Sequence, residues 1–262
     1  MIRELFPDVF AVENEEGGSN VGIIVGKNSL LIVDSTLFPS KFQQILDFCA
    51  TLTHKPLIGV FLTHYHPDHS FGVMGHAGIE KLTSEKTQKI LENIPKEYLN
   101  DIKSRLGENG KELDRLEFRV LRRIEDGATV DLGMRKVRFM NLGGHTPDLT
   151  VAYVEDAGVL FASDLMVTTV HAEIVEDSDM NVWMKAIEQL SRLRIEYVVP
   201  GHGAVAEGKK TLNFTRDYLK LAASVIESLK NNKDMEYLDL PSEFQHLRFP
   251  ELLVEGVVRK LR

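Results

Sequence analysis

Thr63-His64-Tyr65-His66-Pro67-Asp68-His69-Ser70-Phe71-Gly72 packs three imidazoles and a carboxylate into ten residues. These are the donor types that Zn²⁺, Fe or Mn take, nitrogen with one hard oxygen. Directly before it runs Leu57-Ile58-Gly59-Val60-Phe61-Leu62, an apolar stretch that reads as a buried strand. A strand end is a rigid mount for ligands that must hold their geometry. The run therefore reads as a metal site rather than as a solvated, histidine-rich loop.

Upstream, Val9 to Asn14, Val21 to Val25 and Leu30 to Val33 read as short strands of an antiparallel meander, separated by Gly-, Asn- and Ser-containing turns. Pro39 opens a helical pattern through Phe42, Ile45, Leu46 and Cys49. Downstream, Ser84 suits the N-cap of a helix to Asn93, and Pro95 the first turn of a second helix carrying Tyr98, Leu99, Ile102 and Leu106. Strand character returns at Lys136 to Asn141, Leu149 to Val154, Val159 to Ala162 and Ile195 to Val199. Asp179 caps a helix with Trp183, Ile187 and Leu190 on its apolar face, and Leu212 to Leu229 reads as a long amphipathic helix. No linker or low-complexity segment interrupts the chain, so residues 1–262 are expected to form one domain of mixed α and β structure.

Composition narrows the function classes. The 262 residues are 43% hydrophobic, enough for a sizeable core. A net charge of −8 argues against a sequence-independent nucleic-acid binder. The one cysteine, Cys49, fits a reducing compartment and lies in an apolar helical pattern, so it reads as core. The start, Met1 to Asp8, lacks the apolar region of a signal peptide, and no stretch is long and apolar enough to span a membrane. A soluble cytoplasmic protein is the expectation. Between residues 86 and 123 ten Lys or Arg face seven Asp or Glu, +3 in a chain that is −11 elsewhere. That segment is either a solvated helical face or a lid that attracts an anionic substrate.

Three further donors each follow an expected strand: His145 in Gly143-Gly144-His145-Thr146-Pro147, Asp164 in Phe161-Ala162-Ser163-Asp164, and His202 in Pro200-Gly201-His202-Gly203. The flanking glycines permit tight turns and close backbone approach. Singly each is weak; in this order after the histidine run they are strong evidence jointly.

With these motifs the sequence resembles the metallo-β-lactamase superfamily over nearly its whole length. The resemblance implies an αββα sandwich of four layers, with two divalent metal ions, zinc first and iron or manganese also accommodated, in a groove at one edge of the sheets. It implies that His64, His66 and His145 hold one metal, that Asp68, His69 and His202 hold the other, and that Asp164 bridges them. Two metals about 3.5–4 Å apart hold a hydroxide and clamp a substrate oxygen, the pKa of bound water falling from 15.7 to about 7. In this family Asp68 touches metal and attacking water, which makes it the candidate for orienting the nucleophile or shuttling its proton.

The bridging aspartate resembles the glyoxalase II, lactonase, phosphodiesterase and flavo-di-iron branches more than the true β-lactamases. No flavodoxin domain or long flexible arm accompanies it, leaving a stand-alone hydrolase of a thioester, ester or lactone, closest to the glyoxalase-like group, with a phosphodiester less favoured. Its additions would be a helical insertion at about 84–118 and a C-terminal helical region at about 208–262. A mononuclear iron sulfur dioxygenase, held by His64, His66 and Asp164 or His145, is the alternative of another class. A non-catalytic binder on the same fold is the third, against which the complete ligand set counts.

Several residues read two ways. Asp34 either hydrogen-bonds a ligand loop or forms an Asx-turn. Asp148, where many relatives have Gly, either partners His145 or caps its turn. Ser163 stands before Asp164 where many relatives have Gly. His171 either contacts substrate or is a partly exposed loop histidine. His54 reads as solvated, His76 lacks ligand spacing, His246 reads as packing or surface, and Trp183 as core.

Overall fold

Leu30-Leu31-Ile32-Val33 shows how the layers arise. Successive side chains of a strand point to opposite faces; Leu30 and Ile32 join one apolar cluster, Leu31 and Val33 another. Val159-Leu160-Phe161-Ala162 repeats the device, Val159 and Phe161 facing inward, Leu160 and Ala162 outward. Strands buried on both faces need cover on both, and the chain supplies it.

The computed structural model describes residues 1–14, 18–119, 121–231 and 240–261. Among the described residues the first sheet runs β1 (Ile2–Phe6), β2 (Val9–Val12), β3 (Val21–Val25), β4 (Leu30–Val33), β5 (Leu57–Leu62), β6 (Lys81–Thr83) and β7 (Leu121–Arg123), each beside the next. Pairings are antiparallel as far as β4 and parallel from there to β7. The second sheet contains β8 (Thr129–Asp131), β9 (Lys136–Asn141), β10 (Thr150–Val154), β11 (Val159–Ser163), β12 (Tyr197–Pro200) and β13 (Ala206–Glu207), again in chain order. Only β11 and β12 of this sheet pair in parallel.

The inner faces meet in one core, where the Phe61 and Phe139 ring centroids lie 4.1 Å apart. Helices α1 (Pro39–Leu52), α2 (Pro67–Met74) and α3 (Glu85–Glu92) cover the outer face of the first sheet through Phe42, Ile45, Cys49, Val73, Met74 and Leu91. Helix α4 (Lys96–Leu106) follows α3. Helices α5 (Met180–Leu190), α6 (Lys210–Lys230) and α7 (Pro250–Leu261) cover the second sheet through Trp183, Ile187, Tyr218, Leu219, Leu253 and Val257. This is the expected α/β sandwich in four layers.

The caps follow the sequence. Ser84 Oγ accepts from the Thr87 amide, and Asp179 Oδ1 from the Asn181 and Val182 amides, contacts worth about 1 kcal/mol each. Pro95 sits one position outside its helix, as the N-cap. In the basic segment Lys89, Lys103, Arg105, Lys111 and Arg123 all have acidic partners at the surface, which is the arrangement of a solvated helical face. Strand β12 starts at Tyr197, two residues after the expected Ile195. Strands β1, β6, β7, β8 and β13 and helix α2 were not expected. Most of these strands have only two or three residues, too few to show a period, and in α2 the metal-type donors displace the apolar stripe.

Candidate metal centre

The donors leave one edge of the sandwich. Strand β5 runs into the His64 to His69 segment, the β9–β10 connection carries His145, β11 leads to Asp164, and β12 to His202. The carboxyl ends of parallel strands leave a crevice where side chains from separate loops converge, and β5, β11 and β12 are such strands.

All seven sequence-derived candidates meet there, in two sets. His64, His66, His145 and Asp164 form one, Asp68, His69 and His202 the other; within each set the donor atoms lie within 4.8 Å of one another. Asp164 stands between them. Its Oδ2 is 3.3 Å from His145 Nε2 and 3.8 Å from His64 Nε2, while its Oδ1 is 3.2 Å from His69 Nε2 and 3.6 Å from His202 Nε2. One carboxylate oxygen thus faces each set.

These spacings suit cations. Four ligands 2.0–2.1 Å from a tetrahedral ion sit about 3.4 Å apart. His66 Nδ1 and His145 Nε2 are 3.1 Å apart, His69 Nε2 and His202 Nε2 3.3 Å, and His202 Nε2 and Asp68 Oδ2 3.2 Å. His64 Nε2 and Asp164 Oδ1 are buried and make no aligned hydrogen bond among the described residues. Buried polar atoms of this kind are costly unless something else binds them. The donor set fits divalent cations.

A hydrogen-bond network fixes which ring nitrogen faces inward. Asp34 Oδ1 accepts from the Thr63 amide, and its Oδ2 accepts from Thr63 Oγ1 and His69 Nδ1, all within 2.9 Å. With its own proton directed to Asp34, the Thr63 hydroxyl accepts from His64 Nδ1 at 3.0 Å. His145 Nδ1 donates to the Glu173 carbonyl at 3.0 Å. In all three rings Nε2 is left to face the centre, the arrangement by which outer partners orient metal-binding histidines. Asp34 therefore bonds the ligand loop, the first of its two readings, and does so at φ +63°. Ser163, at φ +49°, places Oγ 2.8 Å from Thr63 Oγ1 and 3.4 Å from His64 Nδ1.

Other supports escaped the sequence reading. Asn20 Nδ2 donates to the Pro200 and Gly203 carbonyls, and its amide to Gly201, holding the His202 loop. Ser19 Oγ donates to the Asp68 carbonyl and Ser35 Oγ to that of His69. At Gly201 an added Cβ would lie 1.7 Å from Asp164 Oδ1. The available signal was local: Ser19-Asn20 directly precedes β3 and Ser35 follows β4, both at this edge.

Electrostatics divide the sets. Burial holds His66 down to about 4, His145 to about 3, and His64 well below its ordinary value. Burial acts the same way on His69, yet Asp164, Asp68 and Asp34 hold it up to about 10; His202 is likewise raised by Asp164 and Asp68. The reverse holds for the acids. Burial works to raise Asp68 and Asp164, but the neighbouring imidazoles, His69 foremost, hold both below the usual carboxylate range.

The remaining candidates fall as follows. His171 is buried, not partly exposed, with Nδ1 3.0 Å from the Tyr218 hydroxyl, and it lines a cavity shared with Asp68, Asp164 and His202. Asp148 follows neither reading. Its carboxylate is fully buried without an aligned hydrogen bond, pushed up to about 6 by burial, while its carbonyl accepts from Thr150 Oγ1. Cys49 is core, its thiol pushed up to about 11 by burial. Trp183 is buried; His54 and His246 are exposed, and His76 packs on Phe42.

Among known proteins, the linear primary-alkylsulfatase of a Pseudomonas species is 22% identical over 74% of this chain and 44% of its own length. The atrochrysone carboxyl ACP thioesterase AgnL7 of Paecilomyces divaricatus is 22% identical over 72% of this chain and 51% of its own. The chain thus spans about half the length of the curated relatives it matches. Among solved structures, a metallo-beta-lactamase from Pontibacter korlensis superposes with a TM-score of 0.65 at 21% identity, covering 84% of this chain and 98% of that one. That likeness carries the fold. The sequence profile of the metallo-beta-lactamase superfamily matches residues 14–202, and the chain belongs to that superfamily.

Proposed function

We propose that the protein is a binuclear, metal-dependent hydrolase of a small-molecule thioester, ester or lactone. The observation that carries this reading is Asp164, with one oxygen toward each donor set. His64, His66 and His145 would hold one cation, Asp68, His69 and His202 the other, with Asp164 bridging them; zinc is the first choice of metal. When bound, two such ions supply Lewis acidity that brings the pKa of water from 15.7 to about 7.

The chain's own residues do the rest. Asp68, partly exposed and lining the cavity, held as a carboxylate by His69 and His202, accepts a proton from the attacking water and returns it to the leaving group. Asp34 and the Glu173 carbonyl keep His69 and His145 in the tautomer that presents Nε2. His171 belongs to the substrate wall. The named thioesterase and alkylsulfatase relatives support hydrolysis of an activated ester. The second donor set counts against a mononuclear iron dioxygenase. Residues 1–262 are read as one hydrolase domain in the cytoplasm, without nucleic-acid or membrane partners; no described helix is long and apolar enough to cross a membrane.

Metal quantification paired with a panel of thioesters, esters, lactones, sulfate esters, phosphodiesters and β-lactams tests the proposal. Two divalent ions per chain with turnover of carbonyl substrates is the expected result. One iron per chain with oxygen uptake on a persulfide would overturn it.

A further inference from the structure

Beside Asp68, Asp164 and His202 opens a cavity of about 200 Å³. Those three residues belong to the metal centre. Met166, Val167, Val170, Ala172, Phe249 and Leu252 supply the apolar lining, and the first four of these are buried. Two polar side chains interrupt the wall, and both are engaged. His171 bonds Tyr218, and Glu173 pairs with Arg259 at 3.4 Å. What is left for a ligand is a group of metal-centre donors beside an apolar lining, the combination expected of a site that fixes a reacting group and sorts its substituent.

We infer that this cavity takes a linear hydrocarbon chain attached directly to the scissile ester or thioester. The inference rests on the hydrolase reading and adds the substrate class. At about 30 Å³ for a water-sized group, the volume holds on the order of six or seven such groups, and the reacting carbonyl with its two heteroatoms takes about three of them, leaving room for about four methylenes.

The wall is built to keep its dimensions. Arg248 N donates to the Thr169 carbonyl and His171 N to that of Arg248, so the chain entering α7 is stitched to the 169–171 strip. Lys260 Nζ donates to the Glu176 and Ser178 carbonyls at 2.7 Å, fixing the far end of α7. Between them Gly256 lies against Ile174, where an added Cβ would stand 2.7 Å from Ile174 Cβ. The same strip supplies the Glu173 carbonyl that orients His145. Chain selection and ligand orientation thus share one rigid wall.

Two ester series on the metal-loaded protein test this: p-nitrophenyl esters with acyl chains of two to ten carbons, and acetate esters of alcohols over the same range. Burial of one methylene corresponds to about a fourfold gain. kcat/KM should therefore climb about fourfold per carbon in one series, acyl or alcohol, and level off at about four or five carbons. Leu252→Trp should cut the long-chain to short-chain ratio at least tenfold, and Leu252→Ala should move the plateau to longer chains. Calorimetry gives a second readout: hexanoate should bind at least tenfold tighter than acetate, and Leu252→Trp should erase that gap.

Flat series together with equal binding of hexanoate and acetate would overturn the inference while leaving the hydrolase reading intact. No turnover of either series or of the thioesters and lactones of the panel above, with the calorimetric preference retained, would overturn the hydrolase reading and keep the hydrocarbon site.

Discussion

The two halves of the metal centre differ in what a cation must displace. His64, His66 and His145 are buried, and burial keeps their rings neutral far below pH 7. His69 and His202 sit among Asp34, Asp68 and Asp164 and stay protonated at pH 7. The halves also differ in access: the side chains of Asp68 and His202 are 32% and 25% exposed, while that of His64 is fully covered. The first set is three buried neutral rings facing the Asp164 carboxylate, ready for a positive charge, and the second a salt-bridged cluster whose protons stand in for one. The difference predicts an order of loading, the first set before the second.

The bridge offers the strongest way to break this comparison. Asp164→Asn removes the charge both sets share; at least one metal should be lost and turnover should fall by about a hundredfold or more, since each ion contributes several kcal/mol of transition-state stabilisation. Gly201→Ala should do the same by displacing the carboxylate sterically. Elemental analysis with steady-state kinetics reads both, and full occupancy with full activity in Asp164→Asn would show that the carboxylate does not bridge. Asp68→Asn touches the second set alone. Turnover should drop by about 10²–10⁴ with the fold retained by circular dichroism; unchanged kinetics would deny Asp68 a part in proton transfer.

How much of this arrangement was legible in the sequence follows from where each contact is made. The seven donors could be read because each lies just past a strand, several beside glycine, so local signals mark them. Strands that form continuous apolar runs between turn residues, such as Leu30 to Val33, were equally visible. The supports were not, because their partners are remote: Asn20 holds Gly203 across 183 residues and Ser163 meets Thr63 across 100. Asp148 misled in both directions because a carboxylate in a turn usually bonds a nearby amide, whereas here the fold buries it. The hydrocarbon wall at Phe249 and Leu252 carries no motif, since any apolar residues at a helix start would look alike.

A proton count sharpens the comparison. Metal binding to imidazole requires the neutral ring. The first equivalent of zinc, added to metal-free protein at pH 7, should release fewer protons than the second, which displaces protons held by His69 and His202 and completes the pair of ions that ionises bound water. Apparent affinity for the second ion should then rise with pH until His69 loses its proton near pH 10. Stability of the metal-free protein follows the same groups. His66 and His145 lie below the ordinary value of 6.5, so the unfolded chain binds more protons there and stability rises as pH increases from about 4 to 6.5. His69 lies above it, so its contribution is complete below 6.5 and is lost as pH rises toward 10. Above pH 6.5 the melting temperature of the metal-free protein should therefore fall; a monotonic rise from pH 6 to 9 would contradict the charged second set.

The smallest effect isolates the first set. Ser163 holds a left-handed backbone at φ +49°, and its hydroxyl reaches Thr63 and, through it, the Nδ1 side of His64. Ser163→Ala keeps the strained backbone and loses the bond, a cost of about 1 kcal/mol, or a fall in Tm of about 2–4 °C for a chain of this size. Ser163→Gly loses the same bond but relieves about 1 kcal/mol of left-handed strain, so its Tm should stay near that of the parent. Equal losses in the two variants would show that residue 163 carries no strain, and no loss in either would show that the hydroxyl supports nothing. Because Ser163 touches His64 and not His69 or His202, neither change should alter the proton release on binding the second ion. A shift there would mean that the halves are coupled through their supports as well as through Asp164.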